Sequence, residues 1–263
     1  MKAESIARNH RDFENYRDLV FILVQKEIKV RYKGKILGYL WSIANPLAYG
    51  CIYYIVFSLI MQVQIPNYPL VLMSGLFPWQ WFSNAVGSSP RLFLGNASIL
   101  KKINFPRSLI SLAIMLNHMI HFLLSIPVIF LFLFIYRQAP TLDWLYGFPM
   151  LLVIQLIMVF GVSLFLASIN VFVRDLERLS SILMTFVFYF TPIIYPLDLV
   201  PHRYKFLLAA NPVAPLIICW RELILKGKLD WAYLGISALY AVLFFALGYY
   251  VYRKLSPKFA EAL

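Results

Sequence analysis

Long apolar runs without charges alternate with short basic segments along the chain. Residues 36–90 contain no Asp, Glu, Lys or Arg, and a polar stretch at residues 62–69 divides this run in two. A helix needs about 20 apolar residues to cross the hydrocarbon core of a bilayer, because each residue adds about 1.5 Å. The pattern predicts an all-α integral membrane protein with six transmembrane helices, at about residues 36–61, 70–90, 108–136, 144–173, 179–197 and 231–252.

The segment before the first of these helices has a different pattern. In this N-terminal segment, residues 1–35, Lys26, Lys29 and Lys33 recur at helical spacing beside an apolar block that is too short to cross a membrane. Such an amphipathic helix would lie at the membrane interface with its bases toward anionic lipids. An ordinary cytoplasmic helix packed on a partner would have the same pattern.

Residues 198–230 are mostly apolar but do not form one continuous helical pattern. The Asn211-Pro212 and Ala214-Pro215 pairs interrupt them, and each half is then too short to cross a membrane. We expect a re-entrant helix pair that dips into the outer leaflet, where protein must cover the broken backbone. The alternative is a surface loop with a few buried anchors.

The distribution of charge predicts the orientation. Only 14% of the residues are charged, against about a quarter in soluble domains, so lipid must cover most of the surface. With the six predicted spans, 18 of the 24 Lys and Arg lie on one side; the other side has Arg137, Arg203, Lys205, Arg221, Lys226 and Lys228. The richer side is the cytoplasm, so both termini, including a tail at residues 253–263, are expected there. Bases spread between spans in this way do not indicate a nucleic-acid site.

The residues and motifs that the sequence lacks reduce the number of possible functions. No predicted span contains a charged residue, which disfavours coupling to protons or ions. His118 and His121 are the only titratable imidazoles in a span, and we expect hydrogen bonds between helices for them. The chain has no phosphate-binding loop of the form G-x-x-x-x-G-K-[ST] and no metal-ligand spacing. No cofactor is therefore expected in this chain, and ATP and Mg would have to be bound by a separate ATPase chain.

Polar and aromatic residues form stripes on two predicted spans. They recur every three or four residues, first at Ser42, Asn45, Tyr49 and Tyr53, and later at Ser181, Thr185, Tyr189 and Pro192. Phe186, Phe188 and Phe190 surround the second stripe. Rings stack on the apolar faces of sugars and hydroxyls bond sugar hydroxyls, so the stripes are candidates for a glycan channel. Helix–helix packing with polar contacts is the alternative.

A basic segment at residues 96–108 follows the second predicted span. It reads as a short helix ended by Pro106, with Lys101 and Lys102 beside the apolar Ile99, Leu100, Ile103 and Phe105. This pattern suits a membrane-surface helix. It equally suits a helix pressed into a groove of a cytoplasmic partner.

Several short motifs occur together in one order. They are residues 29–33 (KVRYK), 37–41 (LGYLW), Asn45-Pro46, 74–79 (SGLFPW), 82–84 (FSN), 170–175 (NVFVRD), 190–195 (FTPIIY) and Asn211-Pro212. In this order and spacing, the chain resembles the membrane (permease) subunit of ABC exporters that move O-antigen, capsular polysaccharide or teichoic acid. The motifs extend over most of the chain, from about residue 20 to 220.

The resemblance implies a homodimer in the cytoplasmic (inner) membrane, bound to two copies of an ABC ATPase subunit and exporting a lipid-linked glycan. O-antigen is expected, with capsule or teichoic acid as further possibilities. It implies a channel lined by Ser42, Asn45, Tyr49, Tyr53, Thr185, Phe186 and Tyr189. It implies ATPase docking at Lys101, Lys102, Ile103, Asn104 and Phe105, and an outer gate at Pro196, Asn211, Pro212 and Pro215.

Two other classes stay open. A permease of the same architecture could move a drug or a lipid. A membrane-embedded transferase would need clustered carboxylates or histidines, for which the outer segment offers only Asp198, His202 and Arg203.

Overall fold

The structure, a computed structural model, describes residues 16–30, 40–62, 64–102 and 105–262, and these are helical with short connections and no strand. The all-α expectation is confirmed. The helices are α1 (16–30), α2 (Trp41–Tyr54, continued by a π-helical turn Ile55–Ile60), α3 (Tyr68–Ser88), α4 (Leu92–Gly95), α5 (Ala97–Lys102), α6 (Ser108–Ile135), α7 (Asp143–Asn170), α8 (Leu176–Phe190), α9 (Lys205–Ala210), α10 (Ala214–Lys226), α11 (Trp231–Leu255) and α12 (Phe259–Ala262).

Four of these helices are long and apolar enough to cross a membrane: Ile43–Ile60, Ser108–Ile135, Asp143–Asn170 and Trp231–Lys258. The other two predicted spans fall on α3 and α8. Helix α3 has 21 residues, most of them buried. Helix α8 has 15 residues, which at 1.5 Å each is about 22 Å and shorter than the hydrocarbon core. It ends at Phe190 rather than at the predicted residue 197, because the backbone is extended from Thr191.

Helices α7 and α11 form the tightest pair in the fold. Gly161 of α7 lies against the backbone of Phe244 and Phe245, and a Cβ atom there would be 2.5 Å from the Phe244 carbonyl oxygen. Gly248 of α11 in turn lies against the backbone of Gly161. Small residues bring helices this close where hydrophobic force between them is weak, as it is in lipid.

Helix α3 lies at the centre and packs against α2, α6, α7, α8 and α10. A buried hydrogen-bond chain holds its middle: Trp220 donates to the Gln155 side chain (2.7 Å), and the Gln155 amide donates to the Pro78 carbonyl oxygen (2.9 Å). The Trp220 ring also packs edge-on against Phe122 and Phe148. These contacts hold α3 in a fixed position, including the face on its opposite side.

Helix α1 lies against the core through Leu23 and Val24, while Phe21 and Ile22 are exposed. Lys26 donates a hydrogen bond of 2.8 Å to the Asn96 side chain, at the start of α5. An amphipathic N-terminal helix was predicted here; Lys33, the third base of its predicted stripe, lies outside the described residues.

Residues 198–230 contain two short helices, α9 and α10, separated at residues 211–213. The sequence predicts a division into two halves at the Asn211-Pro212 and Ala214-Pro215 pairs, and both pairs lie at this division. Pro215 occupies the first turn of α10, where its missing N–H is not needed.

Candidate functional site

A cleft of about 780 Å³ lies between α2, α3 and α8. Hydroxyls, amides and aromatic rings make up most of its wall. Its lining residues are Asn45, Tyr49 and Tyr53 of α2, Leu76, Trp79, Gln80, Ser83, Asn84 and Gly87 of α3, and Glu177, Arg178, Ser180, Ser181, Met184, Thr185, Phe188 and Tyr189 of α8.

The structure brings the two predicted stripes together on opposite walls of this cleft. Asn45, Tyr49 and Tyr53 face Thr185 and Tyr189 across it. For Ser42, the structure describes the backbone position on α2 but not the side chain. The two stripes, separated by 128 positions between Tyr53 and Ser181, therefore share one space.

Phe186 does not belong to the cleft, although it is one of the predicted channel residues. It is exposed on another face of α8 and does not line the cleft. Successive residues of a helix are about 100° apart, so Phe186 points away from Thr185, and the lining face of α8 runs through Ser181, Met184, Thr185 and Phe188 instead. Phe188 takes the expected place: its ring lies 5.9 Å from that of Tyr53 and 5.6 Å from that of Trp79.

The third wall, on α3, is absent from the predicted channel residues. Its lining positions Leu76, Trp79, Gln80, Ser83, Asn84 and Gly87 follow the pattern i, i+3, i+4, i+7, i+8, i+11 of one helical face. The signal was present in the sequence, in the SGLFPW and FSN motifs. Those motifs carry the resemblance, and the polar stripe within them is a second signal in the same residues.

Charges close the end of the cleft near the N-terminus of α8. Glu177 and Arg178 line it there, and Arg91 forms an ion pair with Glu177 at 2.7 Å. The hydrogen bond from Arg91 to Glu177 raises the pKa of the guanidinium above its usual value. The predicted spans were free of charge, but α8 begins three residues earlier than predicted and so carries these two residues at the mouth.

The opposite end of the cleft meets the segment that follows α8. Asn211 donates a hydrogen bond of 2.9 Å to the Thr191 hydroxyl and accepts one of 3.0 Å from the Val213 backbone, which ties the end of α8 to the start of α10. Pro196 begins a short 3₁₀ turn, Leu197–Leu199, beyond this tie. Of the predicted gate residues, Asn211 and Pro212 therefore lie at the junction of α8, α9 and α10.

The described part of the predicted docking segment, residues 96–102 and 105–108, lies on the side that the charge count assigns to the cytoplasm, and we call it the platform. Lys101 and Lys102 are exposed at the end of α5, while Leu100 is buried. Phe105 is half-buried and packs against the core, so it is less free for a partner than its position in the sequence indicates. Ile103 and Asn104 lie outside the described residues.

An aromatic socket supports this platform from the end of the chain. The ring of Phe259, in α12, is fully buried and lies 5.0 Å from Phe93 of α4. The Arg107 guanidinium lies 5.6 Å above the same ring and also donates to the Ser256 carbonyl oxygen. The Tyr252 hydroxyl accepts a hydrogen bond of 3.1 Å from the backbone of Ser108. The end of α11 and α12 therefore hold both the start and the end of the docking segment.

Little in the described residues suits metal or transferase chemistry. They contain no group of three or more His, Cys, Asp or Glu side chains close enough to hold a metal ion. His118 is hydrogen-bonded to Ser88 at 3.0 Å, between α6 and α3. The outer Asp198, His202 and Arg203 are exposed and none lines the cleft.

Comparison with known proteins identifies the family of the chain. The family model of ABC-2 type transporters matches residues 18–225. The chain belongs to the ABC-2 membrane family. Chains of this family are transport components rather than enzymes, they are integral to a membrane, and they work with an ATPase partner.

Named relatives cover nearly the whole chain. It is 44% identical over 246 residues to the O-antigen export system permease protein RfbA of Klebsiella pneumoniae, covering 94% of this chain and 95% of the relative. It is 32% identical to RfbA of Myxococcus xanthus, over 96% and 98% of the two chains. The polysialic acid transport protein KpsM of Escherichia coli is 24% identical, over 92% and 95%.

Proposed function

We propose that the chain is the permease subunit of an ATP-driven exporter that moves a lipid-linked polysaccharide across the cytoplasmic membrane. O-antigen, a part of lipopolysaccharide, is the proposed polymer, because the relatives at 44% and 32% identity are named O-antigen export permeases. The observation that carries the proposal is the cleft in which three helices bring aromatic rings and uncharged polar groups to one space.

The chemistry of the cleft wall suits a sliding glycan. Rings such as Tyr53, Trp79 and Phe188 offer broad stacking faces, and the hydroxyls and amides of Ser83, Asn84 and Thr185 exchange hydrogen bonds with sugar hydroxyls. Each stacked ring contributes about 0.5–1.5 kcal/mol if pairs of aromatic side chains are a guide. Contacts of this strength hold a polymer in line and release it when it moves by one sugar.

A second copy of the chain is proposed to cover the open side of the cleft. Tyr49 and Tyr189 line the cleft yet are 53% and 60% exposed, so the single chain leaves it open. In a bilayer, hydrocarbon would then face hydroxyls and amides without partners, at a cost of several kcal/mol each. A homodimer that joins two such clefts removes this contact with lipid and forms a closed channel.

The platform bears on the proposed energy source of transport and on the proposed orientation of the chain in the membrane. Lys101 and Lys102 are proposed to meet an acidic rim on each of two ATPase subunits, which bind ATP and Mg. With this platform in the cytoplasm, the six predicted spans, α3 and α8 included, would leave both termini there. Helices α9 and α10 would then be the re-entrant pair near the outer face, with Asn211 and Pro212 at the gate.

The proposal is tested by removing two rings from facing walls. Tyr49→Ala combined with Tyr189→Ala should lower glycan export by about tenfold, the factor for a loss near 1.4 kcal/mol, since each ring contributes about 0.5–1.5 kcal/mol. Surface glycan is measured in cells that depend on this chain, together with the amount of assembled complex. Tyr250→Ala removes an equally exposed ring of α11 outside the cleft and should leave export unchanged.

The same purified complex distinguishes the alternative cargo. Lipid-linked glycan should stimulate its ATP hydrolysis, whereas hydrophobic drugs should not. Stimulation by drugs alone, with wild-type export by the double variant, would assign the cleft to another cargo.

A further inference from the structure

Arg221 is buried in α10, although the charge count treats it as one of six outer cations. Only 5% of its surface is exposed. Its guanidinium donates to the carbonyl oxygens of Tyr195 (2.8 Å) and Ile193 (2.6 Å), and at 3.5 Å to that of Val71. No carboxylate in the described part of the chain forms an ion pair with it.

A buried charge without a counterion is costly, so its position calls for a reason. The segment after α8 supplies one, because the chain leaves the helix at Thr191 and forms bends, in which the carbonyl groups of residues 193–195 have no helical partners. A guanidinium offers several donors in a fixed fork, which a lysine cannot reproduce. The Tyr68 hydroxyl binds the remaining carbonyl of the run, that of Ile194, at 2.8 Å. We call Arg221, Tyr68 and residues 193–195 the outer clasp.

The outer clasp lies directly at the outer end of the cleft. The Tyr195 hydroxyl donates to the backbone carbonyl of Tyr189, a lining residue, at 3.2 Å. On the facing wall, the Tyr68 ring lies 6.5 Å from that of Phe57, one turn beyond Tyr53. The lining of the cleft stops at Tyr53 and Tyr189, where these contacts begin.

Gly75 of α3 gives an independent indication that this contact is close. A Cβ atom at this position would lie 2.9 Å from the Arg221 Nη2 atom and 3.0 Å from the Ile193 carbonyl oxygen. Any side chain on Gly75 would therefore push the fork and its acceptor away from α3. Because Gly75 has no side chain, α10, residues 193–195 and α3 can pack against one another at this point.

We propose that Arg221 is the positioning residue that holds the outer end of the cleft shut between export cycles. It does so by fastening residues 193–195 to α3 and α10. Opening then requires the carbonyl groups to break their hydrogen bonds with the Arg221 guanidinium together. The closed and open states are therefore two distinct states. This inference rests on the proposed role of the cleft as the translocation path.

The test is a gain of permeability rather than a loss of export. The full complex of this chain and its ATPase is placed in liposomes loaded with sucrose, without ATP. Arg221→Met removes the fork while keeping bulk, and Gly75→Ala displaces it from the other side. Both should release sucrose about tenfold faster than wild type, the factor for one lost hydrogen bond of the closed state. Arg221→Lys, which keeps the charge without the fork, should fall between.

Two other glycines provide matched controls. Gly161→Ala inserts a methyl group even closer to backbone atoms, between α7 and α11 and away from the residues that line the cleft, and should lower the yield without raising the leak. Gly235→Ala meets open space and should behave as wild type. Equal leaks from Gly161→Ala and Gly75→Ala, or wild-type tightness of both clasp variants, would overturn the proposal.

Two further outcomes keep the result interpretable. Should Arg221→Met not assemble, Gly75→Ala and Tyr68→Phe decide, because both retain the guanidinium. Failure of the proposed cargo is visible separately, as a tight wild-type complex that moves no lipid-linked glycan when ATP is added.

Discussion

Gly161 and Gly248 decide how closely α7 and α11 approach each other. Each lies against main-chain atoms of the opposite helix, so neither neighbour can move aside as a flexible side chain would. Contacts of this kind rely on van der Waals packing, which acts in lipid as well as in water. The pair forms a fixed support behind the core, while the cleft lies on the other side of α3.

Alanine at either position should therefore separate the two helices. Gly248→Ala is expected to destabilise the chain by about 1–3 kcal/mol, as overpacking does in tight cores. Thermal unfolding of the purified complex in detergent measures this as a lower midpoint. Gly235→Ala on the same helix serves as the control, because its added methyl meets open space. A midpoint equal to the control would contradict the close contact.

Residue types show what could be read from the sequence and what could not. The spacing of Tyr49, Tyr53 and Tyr189 predicted their faces because helical geometry is local. Phe186 was assigned to the channel from its nearness in sequence to Thr185, although its direction differs. Arg221 was counted among the six bases of one side without any predicted partner, since its partners on α3 and after α8 lie 26 to 150 positions away. Its burial depends on long-range contacts that no local pattern contains.

At the scale of elements, the hydrophobicity pattern predicted the starts of helices well where hydrophobicity alone determines the helix. Helices α6, α7 and α11 begin within one residue of the predicted starts at 108, 144 and 231, since lipid imposes their length. Helix α8 ends seven residues before the predicted end at 197. The apolar sequence continues through residues 191–194, but the backbone there leaves the helix for partners in the outer clasp.

The docking platform is the element whose charge is most easily tested. Reversing both Lys101 and Lys102 to Glu should weaken association with the ATPase, mainly through a slower association rate that is sensitive to salt. Surface-captured ATPase binding at low and high salt measures the effect. Lys258→Glu on the exposed end of the chain, outside the segment, is the matched control. Equal binding by the two variants would place the contact elsewhere.

Replacing both Ile103 and Phe105 by Asp would be a less specific test of the same platform. Phe105 packs against the core, so a charge there destabilises the fold as well as the contact. The exposed lysines avoid this ambiguity, because changing them disturbs no buried atom.

At the scale of the whole molecule, α1, the docking platform and α11 meet at one end and the outer clasp lies at the other. Lys26 joins α1 to Asn96, and Phe259 joins the end of the chain to Phe93. Sequence predicted the two ends from charge, but the contacts between segments required the fold.

Labelling from outside the cell tests the orientation of the whole chain. With Cys51 and Cys219 replaced by Ser, a cysteine at the exposed Ala139, between α6 and α7, should react with a membrane-impermeant maleimide. A cysteine at Lys102 should react only after the membrane is opened. The reverse labelling pattern would reverse the proposed orientation. As a control, Tyr250→Cys lies on an exposed face of α11 that is proposed to contact lipid, and it should resist the reagent in both conditions.

The aromatic socket around Phe259 also orders events during synthesis of the chain. Phe259 follows α11, so a ribosome releases it only after every other described helix has been made. Until then Phe93 and Arg107 lack the ring on which they rest, and the platform has no firm base. Given the proposed docking of the ATPase on this segment, a nascent or truncated chain would present no finished surface to the ATPase. Complexes isolated from cells that express the chain cut after Ser256 should contain the membrane subunit with little ATPase.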